Sequence, residues 1–252
     1  MNSITAQDIR SWNKDKPLLA LTAYDYPTAR ILDETGVVDI LHVGDSLGMV
    51  VLGFQDTLSV TIDDIARSVG AVARARKRAL ITADLPANTY RTPEEAVKNS
   101  KILVDAGADA VKLEGGKEFS EHIRALRNEK IEVQGHIGML PQNIKEEGGY
   151  KRKGKTEEEI QKLKTDAQCL EEAGVFSMVL EVVVAEIAAE ITQLISVPTL
   201  GIASGGGTTG QIRVTNDLLG LYPWFAPAHA KPLIQLHELI GQSIKNFYET
   251  LK

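Results

Sequence analysis

One pattern constrains the fold more than any other. Short apolar, β-rich runs alternate with stretches of helical spacing along the chain, and several of the runs end on an acidic side chain. The runs are PLLALTAY (17–24), VDILHVGDS (38–46), RALITADLP (78–86), DAVKLEGG (within 109–117), IEVQGHIG (131–138), FSMVLEV (176–182) and PTLGIAS (198–204). Their apolar residues are not confined to one face, which suits parallel strands covered on both sides. An eighth, weaker run is expected over 214–221.

The intervening segments carry helix start and stop signals. Thr92-Pro93-Glu94-Glu95 supplies an N-cap, a proline at the first helical position and a capping-box glutamate, and Gly107 marks the stop. Thr156 with Glu159 repeats the box. Ile160, Leu163, Ala167 and Leu170 follow at helical spacing, and Gly174 ends the run. Thr61 with Asp64 opens another helix through Ile65, Val69 and Val72. The stretches AGADAVKLE (106–114) and AGVFSMVLE (173–181) echo each other as helix stop, buried strand and terminal carboxylate. About eight such units, with no break in composition, predict an α/β fold. The form expected is a single (β/α)8 TIM barrel spanning 1–252, with a doubly wound open sheet as the alternative.

Composition narrows the partners. Apolar residues make up 43% and charged residues 25%, as in ordinary globular chains able to bury a sizeable core. A net charge of −6 and a pI of about 5.5 speak against nucleic acid or an anionic membrane. The chain lacks the apolar run of about 18 residues that a membrane span needs, and MNSITAQDIR lacks the apolar segment of a signal peptide. The sole cysteine, Cys169, forms no intramolecular disulfide and has no CxxC or histidine neighbour. A reducing cytoplasm is the expected location.

Asp45, Asp84, Glu114 and Glu181 all stand where an apolar strand ends, and Lys112 lies two residues before Glu114. In an α/β barrel the C-terminal strand ends form the catalytic face, so these side chains converge on one mouth. Carboxylates gathered there repel each other. A divalent cation relieves that repulsion, and an all-oxygen ligand set favours Mg²⁺ or Mn²⁺ over zinc. The bland alternative is that each is a solvated loop acid or a helix cap. His136 within GHIGMLPQ (135–142) reads as a satisfied core histidine. GIASGGGTTGQ (201–211) matches neither common nucleotide-binding motif and reads as a flexible loop. The basic GGYKRKGKT (148–156) reads as a mobile connector. LGLYPWFAP (219–227) suits a core or an interface equally.

Several blocks together resemble the ketopantoate hydroxymethyltransferase family. They are LTAYDYPTARILDETGVVDILHVGDSLGMVVLG, ADLP, AVKLEGG, GHIGMLPQ with GGYKRKGKT, LEVV, and VPTLGI followed by GQ and DLLGL. The resemblance covers roughly 18–226 and keeps the family's order. It implies a TIM barrel of the phosphoenolpyruvate/pyruvate superfamily type. It also implies transfer of a hydroxymethyl group from 5,10-methylenetetrahydrofolate to 3-methyl-2-oxobutanoate, giving 2-dehydropantoate in the first step of pantothenate synthesis. Carried over position by position, Asp45, Asp84 and Glu114 hold the metal. Asp45, Ser46, Asp84 and Lys112 contact the ketoacid, and Glu181 accepts the proton. A homo-oligomer, a decamer of two pentamers in bacterial members, is also implied. Two segments depart from the family pattern, GIASGGG after the seventh strand and Ala87-Asn88-Thr89-Tyr90 after DLP.

The residues suit that chemistry on their own terms. A metal held by the carboxylates stabilises an enolate, Lys112 adds positive charge beside the oxyanion, and Glu181 after VFSMVL is placed to take the proton. The rivals are a related metal-dependent lyase or mutase acting on a small 2-oxoacid, and a non-catalytic paralogue.

Overall fold

A computed structural model describes residues 3–146, 148–224 and 230–252. The strands are β1 (Leu18–Thr22), β2 (Ile40–Val43), β3 (Leu80–Asp84), β4 (Ala110–Lys112), β5 (Glu132–Gly138), β6 (Ser177–Glu181), β7 (Thr199–Ile202) and β8 (Gly210–Arg213). They close in chain order into a parallel barrel. The helices are α1 (Ala6–Arg10), α2 (Tyr26–Glu34), α3 (Leu47–Val50), α4 (Ile62–Ala75), α5 (Pro93–Asp105), α6 (Ser120–Asn128), α7 (Glu157–Ala173), α8 (Ala185–Leu194), α9 (Thr215–Leu218) and α10 (Leu236–Glu249). The (β/α)8 reading of the sequence holds.

Local chemistry sets the helix boundaries. Thr61 caps α4 in a reciprocal box with Asp64, and Thr92 caps α5 with Pro93 in its first turn. Thr156 accepts from the Glu159 amide at the start of α7, while the Glu159 carboxylate reaches back to the amides of Gly154 and Lys155. Gly174 ends α7 at φ +107, a conformation that glycine adopts without steric cost. Ile65, Val69 and Val72 of α4 are buried, as their spacing requires.

The two ends of the barrel differ in chemistry. At the N-terminal end Leu18, Ile40, Leu80 and Ala110, each the first residue of its strand, pack with Ala6 and Ile9 of α1 in one buried cluster. The C-terminal end carries the acids. Apolar side chains therefore plug the bottom, and the candidate site acids stand at the top.

The eighth strand departs from expectation. It occupies Gly210–Arg213, and Thr215–Leu218 within the anticipated 214–221 is helical. The reason lies at the barrel seam. The Leu18 amide donates to the Thr209 carbonyl at 3.2 Å, and a Cβ on Gly210 would lie 1.9 Å from the Leu18 carbonyl oxygen. Only a glycine lets the backbones approach that closely.

The chain divides into two compact units, Met1–Ile212 and Arg213–Lys252. In the second, α9 and the exposed α10 are joined through the Leu233 amide to the Leu218 carbonyl, 2.8 Å, and His237 Nδ1 to the Gly220 carbonyl, 2.9 Å. Within the run 219–227, Trp224 is exposed and residues 225–227 lie outside the described residues. Among the described residues no helix is long and apolar enough to cross a membrane.

Candidate active site at the barrel mouth

The barrel brings every anticipated acid to one end. Asp84 is the last residue of β3, Lys112 the last of β4 and Glu181 the last of β6, while Asp45 and Glu114 lie two residues past the ends of β2 and β4. Register fixes their neighbourhood, with Asp84 opposite Lys112 and Gly138 opposite Glu181. Asp45, Asp84, Lys112 and Glu114 are each at most 5% exposed. Burying that much charge costs several kcal/mol per ion unless the charges are paired.

The pairing is dense. Lys112 Nζ stands 3.0 Å from Asp84 Oδ1 and 4.0 Å from Glu114 Oε1. The Asp45 amide donates to Asp84 Oδ2 at 3.0 Å. Gln142 donates its side-chain nitrogen to Asp45 Oδ2 at 2.8 Å and its backbone amide to Glu114 Oε2 at 3.0 Å. Tyr90 in turn donates to Gln142 Oε1 at 2.5 Å. His42 faces Asp84 Oδ1 at 3.4 Å through Nε2, and its Nδ1 pairs with Thr82 at 2.8 Å. Ser46 lies half-buried beside Asp45, with its hydroxyl 2.8 Å from that of Tyr24.

These contacts split the acids electrostatically. Burial, followed by the charges of Asp84 and Glu114, pushes the Asp45 carboxyl well above its usual range. Asp84 is buried too, but Lys112 and His42 hold its carboxyl well below that range. Lys112 keeps its proton more firmly than an ordinary lysine, because Asp84, Glu114 and Asp45 outweigh its desolvation. A cluster in which one carboxyl resists ionisation because of its neighbours is one that a divalent cation would relieve.

The donor set fits such an ion. It is all oxygen, and Asp84 Oδ1 is buried without an aligned hydrogen bond, with only the ion-pair contacts of Lys112 and His42. Among the described residues, however, no three His, Cys, Asp or Glu side chains form a ready metal-ligating group.

His136 is the residue whose role the sequence concealed. It is buried, but it is not an ordinary core histidine. Nδ1 lies 3.2 Å from Lys112 Nζ and 3.4 Å from Glu114 Oε1, and Nε2 lies 3.2 Å from Glu181 Oε2. Burial and the Lys112 charge oppose a proton on this ring, but Glu114 and Glu181 outweigh them and raise its pKa to about 9. The imidazolium therefore links Glu114 and Lys112 to Glu181, the anticipated base. Gln142, Tyr90 and His42 were likewise not singled out. GHIGMLPQ contains the first, but nothing in the spacing marks it.

Backbone geometry positions Glu181. Val182, the next residue, has φ +51, a left-handed conformation that is costly for a β-branched side chain, and Ala203 has φ +54. Arg152 donates to the carbonyls of Val183 and Ala203, both at 3.0 Å, and Lys153 pairs with Val183 as an isolated bridge. The basic segment is thus pinned against the β6–α8 turn rather than being a mobile connector. Ser204, in the departing GIASGGG stretch, accepts from the Val183 amide at 2.9 Å and donates to the Leu180 carbonyl at 2.8 Å. The serine that departs from the family pattern therefore ties β7 to the strand bearing Glu181.

The histidine makes a testable demand. Its folded pKa of about 9 exceeds the ordinary 6.5. The stability it contributes is thus complete below about pH 6.5 and is lost as the pH rises through about 9. With divalent cations chelated, urea denaturation is expected to show stability falling across that window, and His136→Gln should flatten the fall. An unchanged slope in the variant would assign the titration elsewhere.

The barrel is shared with solved enzymes. Phosphoenolpyruvate phosphomutase from Streptomyces platensis superposes with a TM-score of 0.65 at 14% identity, over 98% of this chain and 87% of that one. A 2,3-dimethylmalate lyase of the PEP mutase/isocitrate lyase superfamily gives 0.61 at 16%, over 99% and 88%. At these identities the likeness shows the fold, a closed (β/α)8 barrel, here with an acidic cluster at its C-terminal strand ends. The profile of ketopantoate hydroxymethyltransferase matches residues 3–252. Proteins named 3-methyl-2-oxobutanoate hydroxymethyltransferase are 47% identical in Ignicoccus hospitalis, over 100% of this chain and 96% of that protein, and 48% identical in Pyrobaculum aerophilum, over 94% and 90%. The chain belongs to the ketopantoate hydroxymethyltransferase family and is a hydroxymethyl-transferring enzyme.

Proposed function

We propose that the enzyme moves a one-carbon unit from 5,10-methylenetetrahydrofolate onto 3-methyl-2-oxobutanoate, giving 2-dehydropantoate, the first committed compound of pantothenate synthesis, by way of an enolate. The observation that carries this reading is the division of the mouth. Asp84 and Glu114 flank Lys112, and Asp45 joins them through its amide to Asp84 and through Gln142, while Glu181 stands apart across His136. Asp45, Asp84 and Glu114 would hold a divalent cation, Mg²⁺ by the hardness of the donors, which when bound would supply Lewis-acid stabilisation of the enolate. Lys112 and Ser46 would bind the ketoacid's anionic end, and Lys112 would add charge stabilisation at the developing oxyanion.

Glu181 removes the β-hydrogen, and His136 orients its carboxylate through the 3.2 Å contact. The carbon so freed bonds to the methylene of the folate as one of its two C–N bonds breaks, and water displaces the second nitrogen; the two nitrogens take up the β-hydrogen's proton and one from water. Water supplies the hydroxyl oxygen, and tetrahydrofolate is released. The direct test is product formation with each component omitted in turn. 2-Dehydropantoate should appear only with ketoacid, methylenetetrahydrofolate and divalent cation together. Product formed without the folate would sink the transfer reading and favour a lyase.

We also propose a homo-oligomer. Leu236, Leu239, Ile240, Ile244, Phe247 and Tyr248 lie at helical spacing on α10, which has no buried residue, and a second copy would cover that stripe. A monomer mass in light scattering at micromolar concentration would contradict this.

A further inference from the structure

Asp45, Asp84 and Glu114 share a feature that their places at the strand ends do not require. Each has one carboxylate oxygen held by an amide N–H at 2.8–3.0 Å. Asp84 Oδ2 accepts from the Asp45 backbone, Asp45 Oδ2 from the Gln142 side chain, and Glu114 Oε2 from the Gln142 backbone. Two of the three donors therefore belong to one residue. A neutral donor fixes the rotation of a carboxylate without cancelling its charge, and that is the support a metal ligand needs from the groups behind it.

Gln142 is itself locked in place. It lies on the single turn Pro141–Asn143 that follows β5. The Met139 amide donates to the Glu181 carbonyl at 2.8 Å, and the Gly115 amide to the His136 carbonyl at 3.0 Å, so β5 and its exit are bound to β6 on one side and to the end of β4 on the other. Gln142 Nε2 has two acceptors, Asp45 Oδ2 at 2.8 Å and the Leu85 carbonyl at 3.0 Å, one for each proton. Gln142 Oε1 accepts from the Tyr90 hydroxyl at 2.5 Å. Turning the amide over would set oxygen against oxygen at both Asp45 and Leu85, so the amide has one orientation.

Tyr90 reaches that oxygen because of the segment before it. Asn88 takes φ +66, which asparagine tolerates. The Thr89 amide closes on the Pro86 carbonyl at 3.1 Å, and Asn99 Nδ2 donates to the Thr89 carbonyl at 2.6 Å. Tyr90 then lies buried, with its ring centroid 5.5 Å from that of Phe119. The stretch Ala87-Asn88-Thr89-Tyr90, which departs from the family pattern, thus delivers the hydroxyl behind Gln142.

We propose that Gln142 is the positioning residue of the cation site. Through its side chain and its backbone amide it holds Asp45 and Glu114 in the orientations that receive a divalent cation, and Tyr90 fixes its amide from behind. This rests on the cation reading above and adds the pair that acts through the ligands.

The test is binding of Mn²⁺ to the enzyme without substrate, followed by electron paramagnetic resonance, with thermal midpoints taken after chelation. Gln142→Met keeps the length of the side chain and the backbone amide on Glu114, and removes the donor to Asp45. Mn²⁺ affinity should fall about 10–100-fold, the usual cost of losing a partner behind a metal ligand. Tyr90→Phe keeps the ring against Phe119 and should weaken Mn²⁺ about fivefold, the worth of one hydrogen bond, with the thermal midpoint within a few degrees of the parent. Excess Mn²⁺ should restore most of the lost turnover in both variants, which a packing defect would not allow. Mn²⁺ affinity equal to the parent's in Gln142→Met overturns the assignment and leaves the cation site standing. The same result in Tyr90→Phe removes Tyr90 from it, and should Gln142→Met not fold, Tyr90→Phe decides the whole assignment. A parent that binds no Mn²⁺ removes both the assignment and the cation reading.

Discussion

Glu181→Gln is expected to slow removal of the β-hydrogen of 3-methyl-2-oxobutanoate by about 10²–10⁴-fold, the usual cost of losing a general base. The substitution keeps the shape of the side chain. Its carbonyl oxygen can still accept from His136, which lies 3.2 Å from the present carboxylate. Nor does the replacement touch the buried pairs among Asp84, Lys112 and Glu114, so cation and ketoacid affinities should stay close to those of the parent. The Glu181 side chain is 15% exposed, against 3% for Asp84, and buried His136 keeps Glu114 at 3.4 Å as an acidic partner after the substitution. Hydrogen exchange in deuterated water reads the step directly. Exchange at the parent rate would make another group the base, with Lys112 the next candidate.

Asp84→Ala should behave quite differently. Position alone, at the mouth rather than in the packed layers, suggests a substitution that abolishes cation binding and spares the fold. The contacts predict both effects at once. Asp84 is the 3.0 Å partner of buried Lys112 and the acceptor for the Asp45 amide, and it faces His42. Without it Lys112 keeps Glu114 at 4.0 Å as its nearest acid. Breaking a buried pair from one side typically costs about 3–5 kcal/mol, a large part of a domain's stability. Divalent-cation affinity should collapse, and the urea midpoint should drop with it. Asp84→Asn, which keeps the shape and an acceptor oxygen, should lose the cation with a smaller loss of stability. Undiminished cation affinity in both variants would remove Asp84 from the binding set.

The contrast between these two acids also shows where sequence reasoning reaches its limit. Both were visible, because a carboxylate that closes an apolar run is conspicuous, and parallel strands carry their C-terminal ends to one face. What the run could not disclose is each acid's company. His136 sits in an apolar stretch and so looks like core; its role depends on Lys112 and Glu114, at the end of β4, and on Glu181, at the end of β6. Gln142 lies on a short turn after β5, where no periodicity singles it out, although it touches Asp45 and Glu114. The eighth strand was misplaced because a four-residue strand beginning at a glycine carries little apolar signal. The segment 148–156 looked like a mobile connector because the pairing of Lys153 with Val183 is a backbone event, indifferent to the side-chain charges around it.

In the proposed reaction the barrel mouth enolises a ketoacid by dividing the work between a cation-holding acid cluster and a separate base. The most direct measurement is exchange of the β-hydrogen of 3-methyl-2-oxobutanoate with deuterated water by the unmodified enzyme, folate absent, with and without Mg²⁺. The account predicts exchange that needs the cation and proceeds without the folate. Exchange that is equally fast after chelation, or that appears only once folate is added, would contradict it.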